Sequence, residues 1–441
     1  MAQATINSLE IIDISGEGQG VGRAPDGRVV FVPYTVTGDV VDVNIVRSKK
    51  RHANGEVVSI SHPSEERTEP NCSYYGTCGG CSWQHIVKDR QVHWKSHLIQ
   101  QALQRIGQVE WNEPIEVRSP EEGYGLRSRL RAQVGRQNVI GFFHRGTRRL
   151  IRVSHCPIAL PCVDVAWEWL QNHLSDFPFP LVEARLIGNL AGEVVASFHF
   201  KPNVSISQRK RNKELNTWWR SVHQQPDFPL LGIEIWQADQ MLQEFGKTFL
   251  EEGEWPVLYR ASGFAQASWA GNQLLVDEVV RLWKQDKPVH VLELYAGAGN
   301  LSVPMASLGS HLWALDLDRR ALRDGAYAAK SHELQQRLHF ERFDDQQNSL
   351  PQFCSDREIN VDWLVVDPPR RGIAPRVREE ILGMAPPTLL YVSCDPGTLA
   401  RDLRFFMDGG YELKHVVGID LMPQTSHIET VALLKFPQGS T

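Results

Sequence analysis

Residues 289–308 read VHVLELYAGAGNLSVPMASL. A mostly apolar run from Val289 to Leu294 meets a glycine-containing turn, and apolar spacing resumes after Asn300, so the stretch reads as buried strand, tight turn and helix. Gly297 and Gly299 let the backbone come close to a ligand where the strand ends and the helix starts. A dinucleotide fingerprint would want a third glycine at 302, where the chain has Ser302, and a nicotinamide reading loses weight. One helix later, HLWALDLD gives a second strand ending at Asp316, from which a carboxylate can take both hydroxyls of a ribose. The expected fold class is therefore α/β, with a Rossmann-like C-terminal domain.

Three further motifs lie downstream. In VDWLVVDPPRRG, Asp367 ends another strand, and Pro368 and Pro369 stiffen the backbone behind it, so the carboxylate is presented rigidly. In LLYVSCDPGTLARDL (389–403), an apolar strand delivers Cys394 to the edge where open α/β sheets bind ligands, with a helix starting near Pro396. A buried free cysteine would look the same from this stretch alone. A helix N-terminus and Arg401 would favour its thiolate, and Asp395 would oppose it. In LMPQTSHIETVALLKF, His427 and Glu429 precede the final strand, and a glutamate there is a candidate general base.

The whole chain bounds the reading. Its 441 residues suffice for two to four domains, and 42% hydrophobic with 22% charged residues is ordinary for a globular protein. The N-terminus has no basic start followed by an apolar core, and no apolar run approaches a membrane span, so a cytoplasmic protein without a membrane partner is expected. Seven cysteines, unevenly spaced, suit metal binding or catalysis better than disulfides in that compartment. The sequons at Asn71 and Asn203 then carry no meaning. The net charge of -5 hides a local excess: Gly123 to Val163 holds no acidic residue but includes Arg127, Arg129, Arg131, Arg136, Arg145, Arg148, Arg149 and Arg152. A phosphate backbone would feel such a field.

In chain order, the segment up to about His62 alternates apolar stretches with Gly and Asp-Gly turns, as a small barrel does, with a basic turn from Arg47 to His52. GEGQGVGR and FVPYTVTGD resemble a TRAM domain, an RNA-binding barrel. Next come Cys72, Cys78 and Cys81 in C-x5-C-x2-C spacing, which can place three thiolates around one centre. Cys156 is the expected fourth ligand and Cys162 the reserve; zinc and an iron–sulfur cluster both satisfy four thiolates. Residues 86–106 show a helical apolar face through Ile86, Val92, Leu98, Ala102 and Ile106, closed by Gly107. The tryptophans at 218, 219 and 236 read as packing rather than base-stacking residues. GFAQASWAGNQ, from Gly263, then leads into an amphipathic helix.

Strand, glycine turn, helix, strand and acid form the layout that binds S-adenosylmethionine in class I methyltransferases. CGGCSWQH, LELYAGAGNLSVP, DPPRRG, VSCDPGTLARDL and PQTSHIETVALL together resemble the RNA uracil-5-methyltransferases, over nearly the whole chain. The resemblance implies that Cys394 attacks C6 of a uracil, that C5 takes the methyl group of S-adenosylmethionine, and that Glu429 removes the C5 proton. It places cofactor contacts on Gln266, Tyr295, Gly297, Gly299, Asn300, Asp316, Asp344 and Asp367. It makes Cys72, Cys78, Cys81 and Cys156 ligands of a [4Fe–4S] cluster, with zinc the alternative. The cluster is expected to present RNA rather than to serve methyl transfer. The target uridine must be flipped out of folded RNA.

The implied domains are a TRAM-like barrel at 1–62, a central α+β domain at 63–260 with the cysteine site and basic hairpin, and a methyltransferase domain at 261–441, with helix 86–106 expected to pack on the last. Asp316 stands where glutamate is commoner in the family, Ser268 where an amide is common, and GYGLRSRLR departs from the usual strand start. The expected substrate is 23S ribosomal RNA, with tRNA the alternative and a monomer the expected state. A non-catalytic RNA-binding or assembly factor is the rival from another class, and a methyltransferase acting on a different base or a small molecule is a further one.

Overall fold

A computed structural model describes residues 5–201 and 207–437, so Asn203 lies outside the described residues. Strands β1 (Thr5–Ile14), β2 (Gly20–Arg23), β3 (Val29–Val32), β4 (Val40–Ser48) and β5 (His52–His62) close into a barrel in the order β1-β2-β3-β5-β4. Alternation along the strands sends Leu9, Ile11, Val30, Val32, Val41 and Val43 inward. Lys49, Lys50 and Arg51 are exposed in the turn between β4 and β5. Asp39, buried at the barrel's rim, pairs with Arg67 at 2.6 Å and ties down the segment that follows.

Helix α1 (Lys88–Ala102) runs into a π-helical turn, Leu103–Gly107. Its buried residues are Gln91, Trp94, Lys95, Leu98 and Ile99. The apolar face expected from periodicity is therefore rotated, and Ile106 is 49% exposed. The physical reason is that Gln91 and Lys95 find buried polar partners far away in sequence. Nor does Gly107 supply the left-handed helix end, which falls on Gln108 at φ 51°. Gly107 serves close approach instead: a Cβ there would stand 3.0 Å from the Ala400 carbonyl oxygen.

Next in the chain come β6 (Val117–Arg118), β7 (Arg129–Val134), β8 (Ile140–Phe143), β9 (Leu150–Ile151), α2 (Pro161–His173), β10 (Leu181–Gly188), β11 (Val194–Phe200), α3 (Gln208–Val222), β12 (Gly232–Gln237) and β13 (Gln240–Gly246). All of these strands except β6 form a seven-stranded sheet, β13-β12-β11-β10-β7-β8-β9. Trp218 and Trp236 are buried, as packing residues should be. A short hairpin, β14 (Leu250–Glu252) and β15 (Val257–Tyr259), leads to the C-terminal sheet.

That sheet is built from α4 (Trp269–Asp286), β16 (His290–Leu294), α5 (Ser302–Ser307), β17 (His311–Asp316), α6 (Arg319–Ser331), β18 (Leu338–Arg342), α7 (Leu350–Asp356), β19 (Trp363–Val366), α8 (Pro375–Met384), β20 (Thr388–Ser393), α9 (Pro396–Asp408), β21 (Glu412–Ile419) and β22 (Glu429–Lys435). The strand order is β18-β17-β16-β19-β20-β22-β21-β6. The first five run parallel, and β22 enters antiparallel between β20 and β21. The central strands, covered on both faces, are mostly apolar, with Glu293 of β16 a buried exception. Leu389 to Val392 of β20 are fully buried, each contributing roughly 1.5–3 kcal/mol. One face packs with α4 into the core of the central sheet; the other carries Ile99 and Leu103 together with α8 and α9. Ile14, Val36, Trp83, Ile86, Trp94 and Leu98 join the barrel to α1.

Candidate active site

The C-terminal ends of the parallel strands converge on one edge. After β16, Tyr295 (φ 64°), Gly297 (φ 56°) and Gly299 (φ 95°) make the turn in left-handed conformations. A Cβ on Gly299 would strike the Phe340 ring at 2.7 Å, so this glycine is required for packing. A Cβ on Gly297 would meet nothing within 4 Å, which leaves open space beside the backbone. The Gly297 amide donates to Asp316 Oδ2 at 2.8 Å, and Asp316 Oδ1 accepts from the Asp318 amide at 2.8 Å. The carboxylate at the end of β17 is thus oriented toward the turn.

A cavity of about 190 Å³ lies between these strand ends, lined by Tyr295, Asp316, Leu317, Phe343, Asp345 and Arg371 among others. Tyr295 Oη donates to Asp345 at 2.9 Å, and burial with this carboxylate pushes the phenol well up. Asp344 is turned elsewhere: its Oδ1 accepts from the Gln346 amide at 3.0 Å in a local turn, and Asp345 is the acid on the cavity wall. Asn300 exchanges hydrogen bonds with Asn272 at 2.8 and 2.9 Å and accepts from Tyr259 Oη at 3.0 Å. Its side chain therefore braces the turn. Gln266 is buried on the adjoining loop, held by Ser128, whose Oγ donates to the Gln266 carbonyl at 3.1 Å. On that loop Phe264 is 75% exposed, a large ring left uncovered. Ser268 caps α4, accepting from the Gly271 amide at 3.2 Å.

Cys394 and Glu429 meet through strand register. β20 and β22 pair with Ser393 opposite Thr430, so the next residue along β20 and the first of β22 fall side by side. Asp367 follows β19, whose Val366 pairs with Tyr391 of β20. Burial and then the Glu429 charge push the Cys394 thiol up to about 11; Arg370 pulls it down, while Asp367 and Asp395 add to the rise. Burial also raises Asp367, and burial with the Asp367 charge raises Glu429. Arg370 is the cation that faces both Cys394 and Glu429. Arg401, expected from sequence to favour the thiolate, is instead directed to Asp402 at 2.8 Å and the Arg371 carbonyl at 3.0 Å. Sequence reading missed Arg370; its signal was its place directly behind the rigid Asp-Pro-Pro. His427 lies 3.4 Å from Arg370, and burial, then Arg370, push the imidazole down to about 4, so it is neutral near neutrality.

Cys72, Cys78, Cys81 and Cys156 line a second cavity of about 270 Å³, together with Arg127 and Gln84. Burial raises Cys78, Cys81 (to about 11) and Cys156 (to about 12), and neighbouring cysteines add to each rise. Cys162 points away, with Sγ 3.6 Å from the Asn189 carbonyl. Among the described residues, no group of three or more His, Cys, Asp or Glu converges as one metal ion would require. Arg127 is the cation that would offset an anionic thiolate-bound group, and a set of four thiols on one cavity is a donor set that suits an iron–sulfur cluster or zinc. The cysteine loop is stitched to the basic hairpin: Gly79 donates to the Phe143 carbonyl at 3.1 Å, and Arg145 to that of Thr77 at 3.0 Å. Arg136, Arg148, Arg149 and Arg152 are exposed. Arg129, by contrast, turns inward to the carbonyls of Ala265 at 3.0 Å and Gly263 at 2.6 Å, and so holds the loop of Gln266. Among the described residues, no helix is long and apolar enough to cross a membrane.

The tRNA (uracil-5-)-methyltransferase family model matches residues 88–436, and the TRAM domain model matches residues 8–58. An uncharacterized RNA methyltransferase of Thermosynechococcus vestitus is 30% identical, over 98% of this chain and 98% of that one. A 23S rRNA (uracil(1939)-C(5))-methyltransferase of Neisseria lactamica is 27% identical, over 98% of this chain and 96% of the relative. Among solved structures, the tRNA (uracil-54, C5)-methyltransferase of Pyrococcus abyssi in complex with S-adenosyl-L-homocysteine shares the fold. It has a TM-score of 0.73 at 21% identity and covers 97% of this chain and 99% of that one.

Proposed function

The chain belongs to the tRNA (uracil-5-)-methyltransferase family, S-adenosylmethionine-dependent enzymes that methylate C5 of uridine in RNA, and on that premise we propose that it works through a covalent Cys394–C6 adduct, on ribosomal RNA. The observation that carries the reading is the register of β20 against β22, which sets Cys394 beside Glu429 at the edge that also holds Asp367 and the glycine turn.

C5 of uracil is a poor nucleophile, and addition of sulfur at C6 divides one hard step into easier ones. Cys394 Sγ bonds to C6 as the C5–C6 double bond gives its electrons to the enolate. Arg370 opposes the rise of the thiol and is the cation available to the attacking thiolate. S-adenosylmethionine, when bound, would supply an electrophilic methyl group to C5, the sulfonium–methyl bond breaking so that S-adenosylhomocysteine is the leaving group. Glu429 then removes the C5 proton, the double bond reforms, and Cys394 leaves as thiolate. Asp316 and the Gly297 turn would hold the ribose and carboxylate ends of the cofactor, with Tyr295 and Asp345 on the far wall. Cys72, Cys78, Cys81 and Cys156, which line one cavity, would hold a [4Fe–4S] cluster, with one zinc ion the alternative for four thiolates.

Support for ribosomal RNA comes from the relative in Neisseria lactamica, alignable over 98% of this chain. The test is incubation with labelled S-adenosylmethionine and separated pools of tRNA and ribosomal RNA, followed by mapping of the labelled nucleotide. We expect 5-methyluridine in 23S RNA. Label in tRNA alone would replace the substrate, and no 5-methyluridine in either pool would overturn the activity.

A further inference from the structure

Helix α1 buries two polar side chains on a face that packs against apolar core, an arrangement that costs stability unless each polar atom is satisfied. Their partners lie in the loop between β21 and β22 that ends at Glu429. Gln91 Oε1 accepts from the Gln424 amide at 2.9 Å, and its Nε2 donates to Gln424 Oε1 at 3.1 Å. The same Nε2 reaches the carbonyls of Ile86 at 2.8 Å and Trp83 at 3.1 Å. From the other side, the amides of Ser82 and Trp83, next to Cys81, donate to the Gln424 carbonyl at 3.1 and 2.9 Å. One turn further along α1, Lys95 Nζ donates to Asp420 at 2.5 Å and to the Met422 carbonyl at 3.2 Å.

Gln424 sits at φ 70°, a left-handed conformation that a non-glycine residue holds only when its surroundings impose it. Gln91 is 1% exposed and Gln424 4%. Sheet pairing fixes the backbone of Glu429 itself, Ile419 lying opposite it. The approach to it, Met422 to His427, lies outside the strand pairing and is held by the α1 contacts, by the Ser82 and Trp83 amides, by Gln424 Nε2 donating to the Gly123 carbonyl at 3.3 Å, by Ser426 Oγ donating to the Glu17 carbonyl at 3.4 Å, and by Thr425 donating to the Met422 carbonyl at 2.8 Å.

We propose that Gln91 is a positioning residue for the general base: by clamping Gln424 between α1 and the cysteine loop, it sets the path of the segment that brings Glu429 to C5. This rests on the reading of Glu429 as the base. It differs from a purely structural role in predicting which step slows. With the clamp gone, attack by Cys394 and methyl transfer proceed, and removal of the C5 proton lags.

The test compares Gln91→Met, which keeps length but no hydrogen bonds, with Gln91→Glu, which keeps the acceptor for the Gln424 amide. Turnover, KM for RNA, melting temperature and the denaturant-resistant protein–RNA adduct are measured, using uridine-containing RNA with and without deuterium at C5. For Gln91→Met we expect turnover to fall about tenfold, as a small misplacement of a reacting group does, with KM within about twofold. The adduct fraction and the C5 isotope effect should both rise, and Gln91→Glu should fall between this variant and the parent. Unchanged turnover, or adduct and turnover falling together, overturns the proposal. Should Gln91→Met fail to fold, Gln91→Glu carries the same two readouts. Glu429→Gln is the control: if it accumulates adduct and the Gln91 variants do not, only this proposal fails; if it accumulates none, the reading of Glu429 fails.

Discussion

Asp367 and Glu429 stand near enough at the strand ends for the charge on Asp367 to hold the proton on Glu429. Burial is the larger cause, and both act in the same direction. A base must be ionised to take the C5 proton, so the acid limb of the turnover profile should lie above the ordinary carboxylate range. Asp367→Asn removes the negative charge, lowers Glu429 and moves the limb to lower pH, with turnover down about tenfold or more. Profiles of parent and variant check this; a limb that stays in place would assign it to another group.

Glu293 is 1% exposed and accepts from Ser302 Oγ. Burial lifts its carboxyl from 4.5 to about 8, and Asp367 and Asp316 add to the rise. The folded protein thus binds a proton that the unfolded chain has released. The stabilisation is complete below the unfolded value of 4.5 and is lost as pH rises through about 8. Glu293→Gln should be more stable than the parent at about pH 9 by roughly 2–4 kcal/mol and nearly equal at about pH 5. Urea midpoints at the two pH values measure it.

The two glycines of the β16 turn should separate folding from binding. Gly299→Ala meets the Phe340 ring at 2.7 Å in addition to its strain, and should cost more than about 2 kcal/mol of stability. Gly297→Ala meets only the strain of φ 56°, about 1 kcal/mol, but places a methyl group in the open space beside Asp316. Calorimetric titration with S-adenosylhomocysteine should show the greater loss of affinity per unit of stability in Gly297→Ala.

Cys156 lines the thiol cavity and Cys162 does not. After anaerobic purification, Cys156→Ser should lose iron content and visible absorption, whereas Cys162→Ser should keep both. A colourless parent protein containing stoichiometric zinc would replace the cluster assignment.

The strand, glycine turn and terminal acid were legible because they are local: spacing alone sets Gly297, Asp316 and Asp367 at strand ends. Cys394 was equally legible as a cysteine delivered by an apolar strand. Whether its neighbours favour the thiolate was not, since Arg401 turns to the buried Asp402 and the opposing cation is Arg370, on a different strand end. Periodicity misplaced the face of α1 because it assumes that buried means apolar, and the partners of Gln91 and Lys95 lie beyond residue 419. The basic run from Arg127 onward was legible as a local excess of charge, but not that Arg129 within it turns inward to the Gln266 loop. Asp344 and Asp345 are neighbours in sequence, and only the course of the chain after β18 decides which of them lines the cavity.

The bond between Gln91 and Gln424 spans 333 residues. At 5–20 residues per second, α1 leaves the ribosome roughly 15–70 s before the segment that receives it. Throughout that interval Trp94 and Leu98 can pack on the barrel, but the part of the inner face that meets residues beyond 419 remains in water. Gln91 and Lys95 interrupt what would otherwise be an apolar stripe, so the residues that later bond Gln424 and Asp420 also keep the nascent helix hydrated until the end of the chain arrives.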